Sequence, residues 1–262
     1  MSLLAAYIAL GLAVGFVAGL LGVGGGLIIV PVLIALFQAF AIASGIEPQL
    51  ALGTSLASIL FTSISSMRAH HRHGAVEWAL VRRIAPGIVA GTLVGAVLAT
   101  QMSAQILKTG FTIFLFYAAT QMWLDFKPRP HRSLPGIAGT TFAGSVIGVV
   151  SSWVGIGGGT LSVPFMLWHN VSLHRAIATS SAIGLPIAIA GATGYVLGGW
   201  GTAHLPEYSL GFVYLPALAG IVVGSVITAP IGARTAHRLA VKPLKRVFAL
   251  LLYALAIRML FR

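Results

Sequence analysis

The sequence contains no cysteine, and its 262 residues include only four acids. A chain without cysteine has no disulfide, no thiolate metal ligand and no cysteine nucleophile. The acids lie in or near polar connections between apolar segments; they are Glu47, Glu77, Asp125 and Glu207. A carboxylate inside a membrane span would indicate a proton relay or a cation site. The lack of one disfavours a cation transporter and favours an anionic substrate.

The motifs of common enzymes are absent as well. The chain has no HExxH zinc motif, no Walker phosphate loop and no recognisable serine–histidine–acid set. Histidines cluster at His70, His71 and His73, but the neighbouring arginines are typical of a solvated basic loop. We therefore expect no enzyme, no metal site and no cofactor.

Apolar residues are abundant, at 58% of the chain against 8% charged, with a mean hydropathy of +0.98. This composition and the apolar runs of helical length predict an all-α polytopic membrane protein with about eight to ten transmembrane segments. We interpret the first segment as a retained transmembrane helix, because it lacks the basic region of a signal peptide. The apolar segments are 3–21, 27–41, 50–67, 82–100, 106–124, 137–154, 159–169, 176–199, 208–231 and 244–261.

A glycine-rich motif occurs twice. Residues 22–26 read GVGGG and are followed by Pro31, while residues 155–159 read GIGGG and are followed by Pro164. Glycine weakens a helix and proline removes a hydrogen-bond donor, so both motifs predict broken helices. The segments that follow the motifs are short for a membrane crossing. Four-residue glycine spacings elsewhere predict close helix packing; they include Gly11, Gly15, Gly91, Gly95, Gly220 and Gly224.

The repeated motif divides the chain into similar halves. Residues 1–126 form an N-terminal membrane repeat, and residues 137–262 form a C-terminal one. Residues 127–136 form a linker that combines proline with charge, which we expect to be cytoplasmic.

The basic residues indicate how the halves are oriented. Thirteen of the sixteen lie in the loop after segment three, in the central linker, and in the loops after segments seven and nine. Membrane proteins concentrate lysine and arginine on the cytoplasmic side, so the positive charge does not require a nucleic-acid partner. If all ten segments cross, these loops share one side and the halves are inverted repeats. The alternative of eight crossings with re-entrant glycine motifs puts the basic cluster at 234–246 outside, and is disfavoured.

The glycine breaks are candidate anion sites. A helix that restarts after a break presents unpaired N–H groups and the positive end of its dipole. Transporters built from inverted repeats place such helix ends at the substrate. Hydroxyl pairs at matching positions of the two halves add uncharged donors, and an arginine precedes the second pair. The candidate substrate-binding residues are Gly24, Gly25, Gly26, Thr54, Ser55, Gly157, Gly158, Gly159, Thr160, Thr179, Ser180 and Arg175.

These residues resemble the TauE/SafE family of sulfite exporters. The resemblance rests on residues 15–26 with Pro31, on the repeat at 155–159, and on HGAVEW at 73–78. It implies transport of a sulfur-containing or organic anion across the bacterial inner membrane, such as sulfite, sulfoacetate or another organosulfonate. The first copy has Leu27 where the second has Thr160, so we expect more hydroxyl contacts from the second half.

The leading hypothesis is a secondary transporter that works by alternating access. A passive anion channel has the same repeats and uncharged donors, and a non-transporting accessory protein is a third hypothesis. The expected partners are a small anion and the lipid bilayer. Self-association as a homo-oligomer stays open.

Overall fold

The computed structural model describes residues 3–21, 25–72, 74–124, 133–203, 205–236 and 241–261. Within these ranges the chain forms ten helices and one short hairpin, β1 (Ser209–Leu210) with β2 (Val213–Tyr214), between α8 and α9. The helices are α1 (Leu3–Leu21), α2 (Gly26–Ala39), α3 (Glu47–Arg72), α4 (Trp78–Gln101), α5 (Ala104–Leu124), α6 (Ile137–Val154), α7 (Gly159–Trp168), α8 (Leu173–Gly199), α9 (Leu215–Ala236) and α10 (Val241–Leu260). The prediction of a helical, multi-pass membrane protein is confirmed.

The helices differ in their ability to cross a membrane. In the described part of the chain, five are long and apolar enough: α3, α4, α6, α8 and residues 215–232 of α9. By contrast, α2 has 14 residues and α7 has 10. At ~1.5 Å per residue these helices extend ~21 Å and ~15 Å. Both are shorter than the ~30 Å of bilayer hydrocarbon, and they are therefore partial helices, as their glycine-rich beginnings predicted.

The predicted segment 208–231 was wrong at its beginning. Residues 208–214 form the hairpin, and α9 begins only at Leu215. Tyr208 and Gly211 have φ values of 62° and 53°, which a right-handed helix does not allow. The hairpin residues are largely apolar and continue directly into α9, so hydropathy alone does not separate the two.

The two halves interlock. α1 packs along α9 and α6 along α4, while α3 packs along α8 and α5 along α10. If α1–α5 are exchanged with α6–α10 in order, the α1–α9 pair becomes the α6–α4 pair. The α3–α8 and α5–α10 pairs each become themselves. The sequence repeat is therefore also a repeat in packing, and its main helix contacts join one half to the other.

Rows of glycines allow the backbones of these helices to come into direct contact. A β-carbon at Gly11 would overlap the backbone of Ile221, and one at Gly91 would overlap the backbone of Ser145. Gly224 makes the same approach from α9 to the backbone of α1. Small residues allow such contacts between membrane helices. The packing role predicted from their four-residue spacing is confirmed.

Candidate substrate-binding site

The second glycine break lies between α6 and α7. α6 ends at Val154, and its C-cap Gly155 has a φ of +63°. The N–H groups of Gly155 and Ile156 both donate to Ser151 O. A β-carbon is disfavoured in this left-handed conformation, which explains the glycine. α7 then begins at Gly159 with Gly158 as its N-cap, and no side chain caps it.

The first break touches the second. α2 begins at Gly26 with Gly25 as its N-cap, again without a side-chain cap. A β-carbon at Gly26 would overlap Gly155 O, and Ile156 Cα would lie 3.0 Å away. The beginning of α2 therefore lies against the turn that leads into α7. The predicted site residue Gly24 lies outside the described residues.

Both helix beginnings present unpaired backbone groups. Ile28 N donates to Gly25 O at 3.1 Å in α2, and Leu161 N donates to Gly158 O at 3.3 Å in α7. The N–H groups that precede these donors have no carbonyl of their own helix one turn earlier to accept their hydrogen bonds. They also carry the positive end of each helix dipole. Two such ends in neighbouring positions are suited to an anion.

Two hydroxyls beside the second break have no hydrogen-bond partner among the described residues: Ser151 Oγ and Thr160 Oγ1. Ser151 lies in the last turn of α6 and is fully buried, while Thr160 lies in the first turn of α7 and is 6% exposed. A buried hydroxyl without a partner costs ~1–3 kcal/mol, so each one requires an explanation. The matching residues of the first half are Ala18 and Leu27, which have no hydroxyl. Of the two breaks, only the second therefore has these two hydroxyls beside it.

A third hydroxyl of this kind belongs to Thr92 of α4, which the sequence analysis missed. Thr92 is fully buried, and its Oγ1 has no partner in the described part of the chain. This atom lies 2.7 Å from the β-carbon position of Gly148, which shares a face of α6 with Ser151. In the sequence, Thr92 lies between the stripe glycines Gly91 and Gly95 and has a hydroxyl. The matching residue between Gly220 and Gly224 of the second half is Ile221, which has none.

Gly157 and Gly158 of the second break face side chains and not backbone. A β-carbon at Gly157 would lie 3.5 Å from Ile59 Cγ2, which is an ordinary contact. One at Gly158 would lie 3.0 Å from Ile183 Cγ2, a close contact with the end of a side chain. Neither position meets backbone, in contrast to Gly26.

The predicted serines have different surroundings. Ser55 Oγ donates to Gly155 O at 2.7 Å, so α3 braces the turn of the second break. Ser180, the matching residue of α8, is 3% exposed. The Ser55 hydroxyl therefore contacts the second break, but its proton is used in the hydrogen bond to Gly155 O.

The predicted threonines link the two halves in the same way. Tyr214 N, directly before α9, donates to Thr54 Oγ1 at 3.0 Å. Glu77 N, directly before α4, donates to Thr179 Oγ1, also at 3.0 Å. We call these contacts the Tyr214 clasp and the Glu77 clasp. Each threonine holds the residue before a helix of the other half, so their match in sequence is also a match in contacts.

Arg175 adds an ion pair to the Glu77 clasp. Its Nη1 donates to Glu77 Oε1, and the two side chains are 60% and 35% exposed. The structure thus places Arg175 near the surface and against the other half.

Comparisons with known proteins identify the family. The chain belongs to the sulfite exporter TauE/SafE family, whose model matches residues 7–259. A probable membrane transporter protein of Haemophilus influenzae is 38% identical, covering 94% of this chain and 93% of that protein. Another from Bacillus subtilis is 28% identical over 97% and 96% of the two chains. A third from Methanocaldococcus jannaschii is 27% identical over 98% and 96%. No solved structure matches the chain.

Proposed function

We propose that the protein is a secondary transporter for a small sulfur-containing or organic anion, such as sulfite, sulfoacetate or another organosulfonate. The anion binds at the second break, beside the beginning of α7 and the turn against which α2 begins. The observation that carries this proposal is the pair of buried, unpartnered hydroxyls, Ser151 and Thr160, beside an uncapped helix beginning. An oxyanion placed there accepts hydrogen bonds from both hydroxyls and from the free N–H groups.

Uncharged donors suit transport because the substrate has to leave the site again. Backbone N–H groups of Gly25, Gly26, Gly158 and Gly159 stabilise the anion without a buried ion pair. Loss of a close ion pair would leave a buried, unpaired charge, which is costly. Dipoles and hydroxyls hold the anion without leaving such a charge behind.

Alternating access follows from the two interlocked halves. Their four main helix pairs map onto one another when the halves are exchanged, which supports a pair of related states that open to opposite sides. The distribution of basic loops supports inverted halves with both ends outside. Because the chain has no cysteine, Ala240→Cys gives a single thiol for labelling. We expect labelling from the cytoplasmic side, and labelling only from outside would overturn the inverted arrangement.

The site itself is tested by removing the unpaired hydroxyls. Thr160→Val and Ser151→Ala should each lower sulfonate uptake into proteoliposomes by about tenfold or more, as expected for a lost hydrogen bond to a charged ligand. Neither change should lower the thermal midpoint, because each removes a buried group that has no partner in the described protein.

Thr112→Val is the matched control. Thr112 is buried in α5, and its hydroxyl already donates to Lys108 O at 2.7 Å. This variant should lose ~1 kcal/mol of stability and keep its uptake per folded molecule. Normal uptake by Thr160→Val and Ser151→Ala, at equal reconstitution, would refute the site.

Substrate-accelerated exchange in the unmodified protein would support a carrier, whereas its absence would support a passive channel.

A further inference from the structure

The glycine breaks lie in long stretches without formal charge. Residues 1–46 and 133–174 contain no lysine, arginine, aspartate or glutamate. Among the described residues, the buried polar side chains are hydroxyls, one glutamine and one histidine. The histidine is His169, which follows the last residue of α7 and so lies ~15 Å along that helix from its beginning. Positive potential at the site therefore comes from helix ends alone.

The charge of these helix ends is limited. Each uncapped beginning acts like about half of a positive elementary charge. The beginning of α2 lies against the turn that leads into α7, because Gly26 abuts the backbone of Gly155 and Ile156. Together the two helix beginnings supply at most about one positive charge, because α6 ends at the same break and its C-terminus carries the negative end of its own dipole. This balances at most a single negative charge.

Burial penalises a second negative charge steeply. The cost of moving an ion out of water grows with the square of its charge, so a doubly charged anion pays about four times as much as a singly charged one. Attraction to the helix ends grows only in proportion to the charge. The hydroxyls of Ser151 and Thr160 add donors but no formal charge. Two helix ends therefore compensate a monoanion and leave a dianion undercompensated.

We infer that the site selects singly charged oxyanions over doubly charged ones. The inference rests on the proposed function and narrows its substrate class. Alkanesulfonates and hydrogensulfite fit, whereas sulfate, sulfite dianion and sulfoacetate with an ionised carboxylate are disfavoured. A substrate with a titratable second group is carried in its singly charged form.

The test compares ligands that share a two-carbon sulfonate skeleton. At neutral pH, 2-hydroxyethanesulfonate carries one negative charge and sulfoacetate carries two. Uptake is measured with the full-length protein in proteoliposomes, with the same pH on both sides. We expect uptake of 2-hydroxyethanesulfonate to exceed that of sulfoacetate by at least about tenfold. As the pH falls towards the carboxyl pKa, sulfoacetate uptake should rise while 2-hydroxyethanesulfonate uptake stays level.

The outcomes separate this inference from the proposed function. Sulfoacetate uptake that equals or exceeds that of 2-hydroxyethanesulfonate at neutral pH would overturn the selection by charge and leave anion transport standing. A preference that does not change with pH would point to size or shape and would also overturn it. If a panel of singly and doubly charged sulfonates, sulfite and carboxylates is not transported at all, the proposed function fails and this inference fails with it.

Discussion

Gly25 and Gly158 occupy matching positions before α2 and α7, but their surroundings differ. A β-carbon at Gly25 would overlap Val14 Cγ1, whereas one at Gly158 would lie 3.0 Å from Ile183 Cγ2. Two positions further on, the first half has a fully buried leucine and the second has the unpaired hydroxyl of Thr160. In the described part of the first break both glycines are closely packed, while in the second break Gly157 has room for a methyl group and Thr160 has an unpaired hydroxyl. Among the described residues, the first copy of the motif is closely packed, and the second lies beside the two unpaired hydroxyls of Ser151 and Thr160.

The two clasps differ as well. In the Tyr214 clasp, Thr54 is fully buried, and the Tyr214 ring packs edge-on against Tyr7 and Phe37 at 6.2 and 5.8 Å. In the Glu77 clasp, the same backbone hydrogen bond is accompanied by the exposed ion pair with Arg175. One clasp is stabilised by aromatic packing and the other partly by charge in contact with water. Substitutions at matching positions should therefore have unequal effects.

Gly26→Ala should cause the largest loss of stability. Its β-carbon would overlap Gly155 O, which cannot move freely because Ser55 donates a hydrogen bond to it. We expect a loss of ~3 kcal/mol or more, measured as folded yield and thermal midpoint in detergent. Gly157→Ala is the control, because its β-carbon would lie 3.5 Å from Ile59 Cγ2 and should be tolerated. Equal stability of the two variants would refute the contrast between the breaks.

Thr54→Val should have a smaller effect that still exceeds that of Thr179→Val. The Thr54 hydroxyl accepts from Tyr214 N and donates to Leu50 O, and valine makes neither hydrogen bond. We expect a loss of ~2 kcal/mol for Thr54→Val and ~1 kcal/mol for Thr179→Val. The Thr179 hydroxyl is replaced at the cost of one hydrogen bond, the one it accepts from Glu77 N. Thermal unfolding of both variants measures the difference, and a larger loss at Thr179 would reverse our ranking of the clasps.

Arg175→Gln should have the smallest effect on stability. The ion pair with Glu77 is exposed, so its contribution is below about 1 kcal/mol and is screened by salt. The thermal midpoint of the variant should fall slightly at low salt and match that of the unmodified protein at high salt. A deficit that persists at high salt would show that Arg175 stabilises the clasp by packing and not by charge.

Local sequence predicted the helix breaks and the glycine stripes well. Three consecutive glycines and a following proline act on their own backbone, so α2 and α7 begin where the motifs predict. The hairpin before α9 was not predicted, because its residues are as apolar as the helix that follows. Thr92 was missed for a related reason. A hydroxyl in a helix usually bonds its own backbone, and only the packing of α4 against α6 shows that this one does not.

The sequence by itself determined the membrane class, the duplication and the absence of charge around both breaks. These properties depend on composition and on local backbone preferences, which do not require contacts between distant residues. The tertiary structure decided which hydroxyls are satisfied. Thr54, Ser55 and Thr179 bond to backbone at least 100 residues away in the chain, whereas Ser151 and Thr160 have no such partner in the described part. Hydrogen-bond partners depend on how the halves interlock, and a linear sequence does not contain that geometry explicitly.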